Sequence, residues 1–283
     1  MTPRNLIRFV VNFTIGSLMI VTAAEPCNAK APEPAAAGTK LRLMGGRPVV
    51  DDVYLNGQGP FRFLIDTGAA SNQFDAALAR KLGLEASFQV ELATAGGTTF
   101  VRGGRVGEVR LGAAKASNEE FLFTTLDGVH ALSSSIEGVL GEEFLAKFDY
   151  LLDFRNRRVE FAAEGGTVPG GTAEGGAGTR AAFRMIEGLP AIQTSEGELA
   201  VDSGTDTTVL CRAGQGAAAQ IRTASGFAEV ATGSVRVRIG EREVRPAQTA
   251  FAPRAALAAD GLLPASLFRS VFFSNSGHYL VLE

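Results

Sequence analysis

The triplet Asp-Ser/Thr-Gly occurs twice in the chain, at Asp66-Thr67-Gly68 and at Asp202-Ser203-Gly204. Each copy ends an apolar strand pattern, Phe61-Arg62-Phe63-Leu64-Ile65 in the first case and Glu198-Leu199-Ala200-Val201 in the second. The surroundings repeat as well. A strand pattern over Pro48–Leu55 and a turn at Asn56-Gly57-Gln58-Gly59-Pro60 precede the first triplet. Gly188–Thr194 and the turn Ser195-Glu196-Gly197 precede the second. An internal repeat constrains a fold before any single residue does, because two similar halves must bury similar cores.

The halves also close alike. Gly138-Val139-Leu140-Gly141 leads into a short helical pattern, Glu142 to Phe148, and then into strands over Tyr150–Phe154 and Val159–Phe161. Gly261-Leu262-Leu263-Pro264 leads into Ala265 to Val271, then Phe272-Phe273 and Tyr279–Leu282. Between the halves, Gly pairs crowd residues 163–180, a composition that predicts a flexible linker. The expected organisation is an N-terminal lobe over 41–162, a Gly-rich linker over 163–180 and a C-terminal lobe over 181–283.

Most other segments read as short strands: Phe88–Ala93, Thr98–Val101 and Glu108–Leu111 in the first half, and Gln220–Arg222, Phe227–Val230 and Ser234–Ile239 in the second. Asp75 to Leu82 is the clearest helix, with Asp75 as its cap and Gly83 as its stop. The fold class expected is mostly β with a few short helices.

Composition narrows the function. The 283 residues are 46% hydrophobic and 20% charged, enough apolar material for two cores. A net charge of −3 gives no basic surface for nucleic acid. Two Cys (Cys27 and Cys211) and two His (His130 and His278) are too few and too scattered for a closed zinc site, so no metal and no cofactor are expected. Cys211 follows Val209-Leu210 and reads as a small buried hydrophobe.

The N-terminus reads as a targeting signal. Arg4 and Arg8 precede an apolar run from Phe9 to Ala24, and small residues follow at Ala23-Ala24 and Asn28-Ala29. That pattern describes a secretory signal peptide over 1–29. The run is short for a membrane span, so a membrane association is expected only if the segment stays uncleaved. Residues 30–40, rich in Ala and Pro, read as a disordered lead-in. The expected location is the periplasm or the exterior.

Paired Asp turns have a specific chemical use. Gly after the hydroxyl residue permits a tight turn, and the apolar strand before it carries the carboxylate into a desolvated place. Two such turns face to face bring two like charges together, so the pair shares a proton. One carboxyl then serves as base toward a water and the other as acid toward a carbonyl oxygen. One triplet alone would be an ordinary Asx turn at a strand end; two in repeated contexts point to catalysis.

Through Phe63-Leu64-Ile65-Asp66-Thr67-Gly68-Ala69 with Val139-Leu140-Gly141, and through Leu199-Ala200-Val201-Asp202-Ser203-Gly204-Thr205, the chain resembles the pepsin and retropepsin type of aspartic proteases. The resemblance covers about residues 45–161 and 185–283. It implies a bilobal acid protease fold, like a retropepsin dimer fused into one chain. It also implies a catalytic pair Asp66 and Asp202, and bracing of the two turns by Thr67, Gly68, Ser203 and Gly204. A flap over the substrate is implied at Ala95-Gly96-Gly97-Thr98, with a matching hairpin at 223–227. Two departures stand out: Pro264 where the family pattern has Gly, and no Tyr in the flap segment. The implied function is an aspartic endopeptidase acting on peptide or protein. Two alternatives stay open. One is a non-catalytic peptide-binding or assembly protein of the same fold. The other is a homodimer in which Asp66 pairs across subunits and Asp202 is incidental.

Overall fold

The computed structural model describes residues 7–9, 38–94, 97–162, 168, 178–223, 226–253 and 257–283. Among them the chain is mostly β, with three short α-helices and one 3-10 turn. The predicted signal peptide lies outside the described residues except for Ile7–Phe9, a strand running parallel to Glu91–Ala93.

The repeat is visible in the strand register. In the first half, Gln58–Ile65 runs parallel to Gly138–Leu140, with Ile65 opposite Leu140. In the second, Gly197–Asp202 runs parallel to Gly261–Pro264, with Val201 opposite Leu263. The strand after each Asp turn repeats the same double pairing. Asn72–Asp75 lies parallel to Ala114–Thr124 and antiparallel to Gly138–Leu140. Thr208–Leu210 lies parallel to Thr249–Phe251 and antiparallel to Gly261–Pro264. Each Asp turn is therefore held between the same three neighbours.

Three strands from each half also meet in one sheet. Its order is Thr39–Met44, Arg158–Phe161, Tyr150–Asp153, Ser270–Ser274, Tyr279–Leu282, Thr179–Ile186. The seam lies where Tyr150 opposes Phe273 and Asp153 opposes Ser270. The two seam strands, Tyr150–Asp153 and Ser270–Ser274, are buried along their whole length and carry Leu, Val and Phe, as strands covered on both faces do. The Tyr150 and Phe273 rings stack across the seam with centroids 4.7 Å apart.

Several predicted elements differ in extent. Asp75 caps the helix Ala76–Lys81 by accepting from the Ala77 N–H at 2.6 Å, and Gly83 takes the left-handed backbone past its end. Thr98–Val101 and Glu108–Leu111 are parts of one strand, Gly97–Leu111, whose interior Gly103, Gly104 and Gly107 read in sequence as breaks. Gly103 is required there, because a Cβ would stand 2.4 Å from the Phe88 ring. Ala265 to Val271 is only the 3-10 turn Ala265–Leu267 followed by a strand from Ser270. Thr39 and Lys40, placed in the lead-in, already form strand, and Thr179 and Arg180, placed in the linker, begin another. Residues 163–167 and 169–177 of the linker lie outside the described residues. Val168 between them is buried with Leu151, Phe272 and Val281, so it is a core residue and no spacer.

The shared sheet predicts joint unfolding. Phe273→Ala should cost about 3–5 kcal/mol, and urea titration followed by circular dichroism should show all strand signal lost in one transition at a lower midpoint. Separate transitions would contradict coupling through this seam.

Candidate active site

The apolar strands Gln58–Ile65 and Gly197–Asp202 deliver the two Asp turns to the middle of the molecule, where both carboxyls are fully buried. The Asp66 N–H donates to the Leu140 carbonyl at 3.0 Å, tying the first turn to its parallel neighbour. Each Asp then accepts from the Gly of its own triplet. The Gly68 N–H donates to Asp66 Oδ1 at 2.9 Å, and the Gly204 N–H to Asp202 Oδ1 at 2.6 Å.

Four hydrogen bonds lock one turn to the other. Thr67 Oγ1 donates to the Val201 carbonyl at 2.7 Å and accepts from the Ser203 N–H at 2.9 Å. Ser203 Oγ donates to the Ile65 carbonyl at 2.8 Å and accepts from the Thr67 N–H at 3.0 Å. Both hydroxyls are buried and doubly used. The glycines matter for a second reason. A Cβ on Gly68 would lie 2.2 Å from the Asp202 carboxyl carbon, and one on Gly204 would lie 2.3 Å from that of Asp66. Each carboxyl thus packs on the glycine of the opposite turn, a place no other residue leaves open.

Burial and crowding set the electrostatics. Burial pushes the Asp66 carboxyl up to about 6, against the opposing pull of the Gly68 N–H, Asp202 and the Arg47 guanidinium. Burial, and then the neighbouring Asp66 charge, push Asp202 well above the ordinary carboxylate range. The two titrate as one unit, and the shared proton belongs to the pair. Asp66 Oδ2 and Asp202 Oδ2 make no hydrogen bond of ordinary geometry among the described residues, and both carboxyls are shut off from solvent.

Arg47 went unremarked in the sequence. It is 1% exposed, and its Nε donates to the Gly204 carbonyl at 2.8 Å while its Nη2 pairs with Asp206 at 2.9 Å. A first-half cation therefore holds the far side of the second turn. The signal in the sequence was an Arg opening an otherwise apolar strand, Arg47-Pro48-Val49-Val50, which carries no position by itself. Glu142 was likewise read only as the start of a short helix. It is 4% exposed, and both of its carboxyl oxygens are without a partner among the described residues.

Of the predicted site residues, Asp66, Thr67, Gly68, Asp202, Ser203 and Gly204 come together. Ala95 and Gly96 of the flap segment lie outside the described residues; Gly97 and Thr98 begin a strand in antiparallel pairing with Phe88–Thr94. The matching segment in the second half has Ala224 and Ser225 outside the described residues and Gly226 paired to Thr223. Pro264 sits opposite Asp202 and precedes the 3-10 turn, where its φ of −59° fits. The corresponding Gly141 could not be replaced so simply, since a Cβ there would stand 2.4 Å from the Ala69 carbonyl oxygen. A cavity of about 760 Å³ lies elsewhere, among Asp153, Arg155, Arg242 and Arg269 beside the shared sheet.

The structure sets two buried Asp-Ser/Thr-Gly turns face to face, the arrangement that the sequence resemblance implied. Residues 51–144, a segment that includes the Asp66 turn, match the model of the Aspartyl protease family. The match ends before the Asp202 turn. Among solved structures the chain is similar to a retropepsin-like aspartic protease from Rickettsia conorii, at 20% identity over 42% of this chain and 86% of that chain, with a TM-score of 0.33. No curated protein matches the chain.

The interlock makes a direct prediction. Thr67→Ala leaves the Ser203 N–H and the Val201 carbonyl buried without their partner, at about 1–3 kcal/mol for each. Thr67→Ser keeps the hydroxyl and should recover most of that loss. Urea midpoints of the two variants check it.

Proposed function

We propose that the chain is an aspartic endopeptidase that hydrolyses peptide bonds with a water activated between Asp66 and Asp202. The observation that carries this reading is the reciprocal bonding of the two turns, which serves no purpose in an ordinary pair of Asx turns. It brings two buried carboxyls together.

The pair shares one proton, so one carboxyl is the base and the other the acid; in this reading Asp66 is the base and Asp202 keeps the shared proton. Asp66 takes a proton from water as its oxygen attacks the scissile carbon. Asp202 gives its proton to the carbonyl oxygen. The resulting diol collapses when the proton now on Asp66 passes to the leaving nitrogen, the C–N bond breaks, and a diol hydroxyl returns its proton to Asp202. The substrate is peptide or protein, and the N-terminal signal pattern of residues 1–29 supports a location in the periplasm or outside the cell.

One observation favours binding without cleavage: both carboxyls are wholly shielded from solvent.

Incubation of the chain with a pool of unstructured peptides, followed by mass spectrometry, separates the readings. Cleavage should occur and be abolished by Asp66→Asn and by Asp202→Asn. Peptide capture with no new termini would establish the binding protein instead, and activity surviving Asp202→Asn would revive the homodimer.

The pH profile follows from the directions above. Cleavage should rise with pH through about 6 as Asp66 ionises. It should fall at higher pH as Asp202 loses its proton. Arg47 opposes the rise in both carboxyls. Arg47→Met should therefore move the acid limb to higher pH, while Arg47→Lys, which keeps the charge, should leave it near its original position.

A further inference from the structure

The two halves match closely around the Asp turns, but behind them they differ by one ionisable group. The register that puts Leu140 opposite Ile65 and Leu263 opposite Val201 makes Gly141 equivalent to Pro264 and Glu142 equivalent to Ala265. Ala265 is an apolar residue in an apolar place, wholly buried. Glu142 is buried in the corresponding place, and a carboxyl there demands an explanation, because a buried charge without a partner is costly.

Among the described residues no cation offsets a charge on it. The Glu142 N–H donates to the Ala69 carbonyl at 2.8 Å, which fixes the residue against the first Asp turn. Asp66 lies near enough for the two charges to repel. From the strand Tyr150–Asp153 the group that faces it is the Tyr150 hydroxyl, also buried and without a partner among the described residues. The strand Ala114–Thr124 brings Glu119, whose carboxylate is taken by Lys147 Nζ at 2.6 Å. The strand Asn72–Asp75 brings Asp75, which is spent on the helix cap, and Asn72, whose Oδ1 accepts from the Gly141 N–H at 3.0 Å. Nothing in this shell compensates an ionised Glu142. Its burial and the Asp66 charge act in the same direction, holding the proton on.

We propose that Glu142 is a third proton-holding carboxyl of the site, a positioning residue kept as the neutral acid beside Asp66 alone, which sets the upper pH limit at which the pair stays assembled. The inference rests on the endopeptidase reading for its functional half; its proton-linkage half stands without it. At working pH the three carboxyls carry a single negative charge, on Asp66. Loss of the Glu142 proton places a second negative charge against the first turn. The second turn has Ala265 at the matching place and no carboxyl there. The halves are thereby unequal in a way their backbones are not.

The sign of the linkage is definite. A carboxyl that holds its proton in the folded chain and releases it in the unfolded one makes stability fall as pH rises above the ordinary carboxylate range. Glu142→Gln keeps the shape and removes that proton equilibrium; Glu142→Ala reproduces the residue of the other half. Urea unfolding of the full chain and both variants from about pH 4 to about pH 8 reads it out. The folding constant of Glu142→Gln relative to the unmodified chain should rise with pH once the ordinary carboxylate range is passed, by up to about tenfold per pH unit while Glu142 stays protonated in the folded chain. Glu142→Ala should show the same slope from a lower starting value. A ratio that stays flat with pH, as a purely structural role would give, or one that falls overturns the proposal. Cleavage of the unstructured peptide pool supplies the second arm. The alkaline limb should move to higher pH in Glu142→Gln, and an alkaline limb unchanged from that of the unmodified chain overturns the functional half. Failure of every form to cleave would instead defeat the endopeptidase reading, and the urea slopes would still decide whether Glu142 holds its proton.

Discussion

Two hydroxyls hold the centre of this molecule. Thr67 and Ser203 each donate to a carbonyl of the opposite strand and accept from the opposite turn's N–H. The four bonds are buried, so no water can replace them when one is lost. They fix the separation of the two Asp turns more tightly than side-chain packing could. The glycines then let each carboxyl settle on the opposite turn. Strand order, sheet seam and cation placement all serve to bring these two short segments together.

The electrostatic design follows from that closeness. A buried carboxyl pair cannot carry two charges, so burial and mutual repulsion together retain one proton. Arg47 moderates this from the first half, reaching past its own turn to the Gly204 carbonyl and Asp206. Nothing equivalent stands behind the Asp66 turn, where Ala70 replaces the position of Asp206 and a neutral place is occupied by Glu142. One turn is thus backed by a guanidinium and the other by a carboxyl. The pair is symmetric in its backbone and unequal in its field.

Local patterns carried much of this. Apolar alternation marked the strands that bear the Asp turns, and the Asp75 cap with Gly83 marked the helix between them, because both depend on neighbours in sequence. Extents were read less well where a distant partner decides them. Gly103 and Gly104 look like strand breaks, yet they lie inside a long strand because Phe88, Glu85 and Phe123 crowd the space above them. The Gly-rich linker concealed Val168, whose burial depends on Leu151, Phe272 and Val281. Pro264, a departure from the family pattern in the sequence, stands at the head of the 3-10 turn, where its φ of −59° suits a proline.

The sequence by itself determined the repeat, the two Asp turns and the residue types around them: a hydroxyl to brace and a glycine to yield space. These are written in contiguous residues, and their chemistry needs only the turn. Only the tertiary structure decided which groups stand behind the turns. Arg47 is 157 positions from the carbonyl it holds. Glu142 is read as a helix start until its burial and its empty shell are known. A carboxyl's proton affinity depends on what surrounds it in space, and that surrounding is assembled from segments the sequence keeps apart.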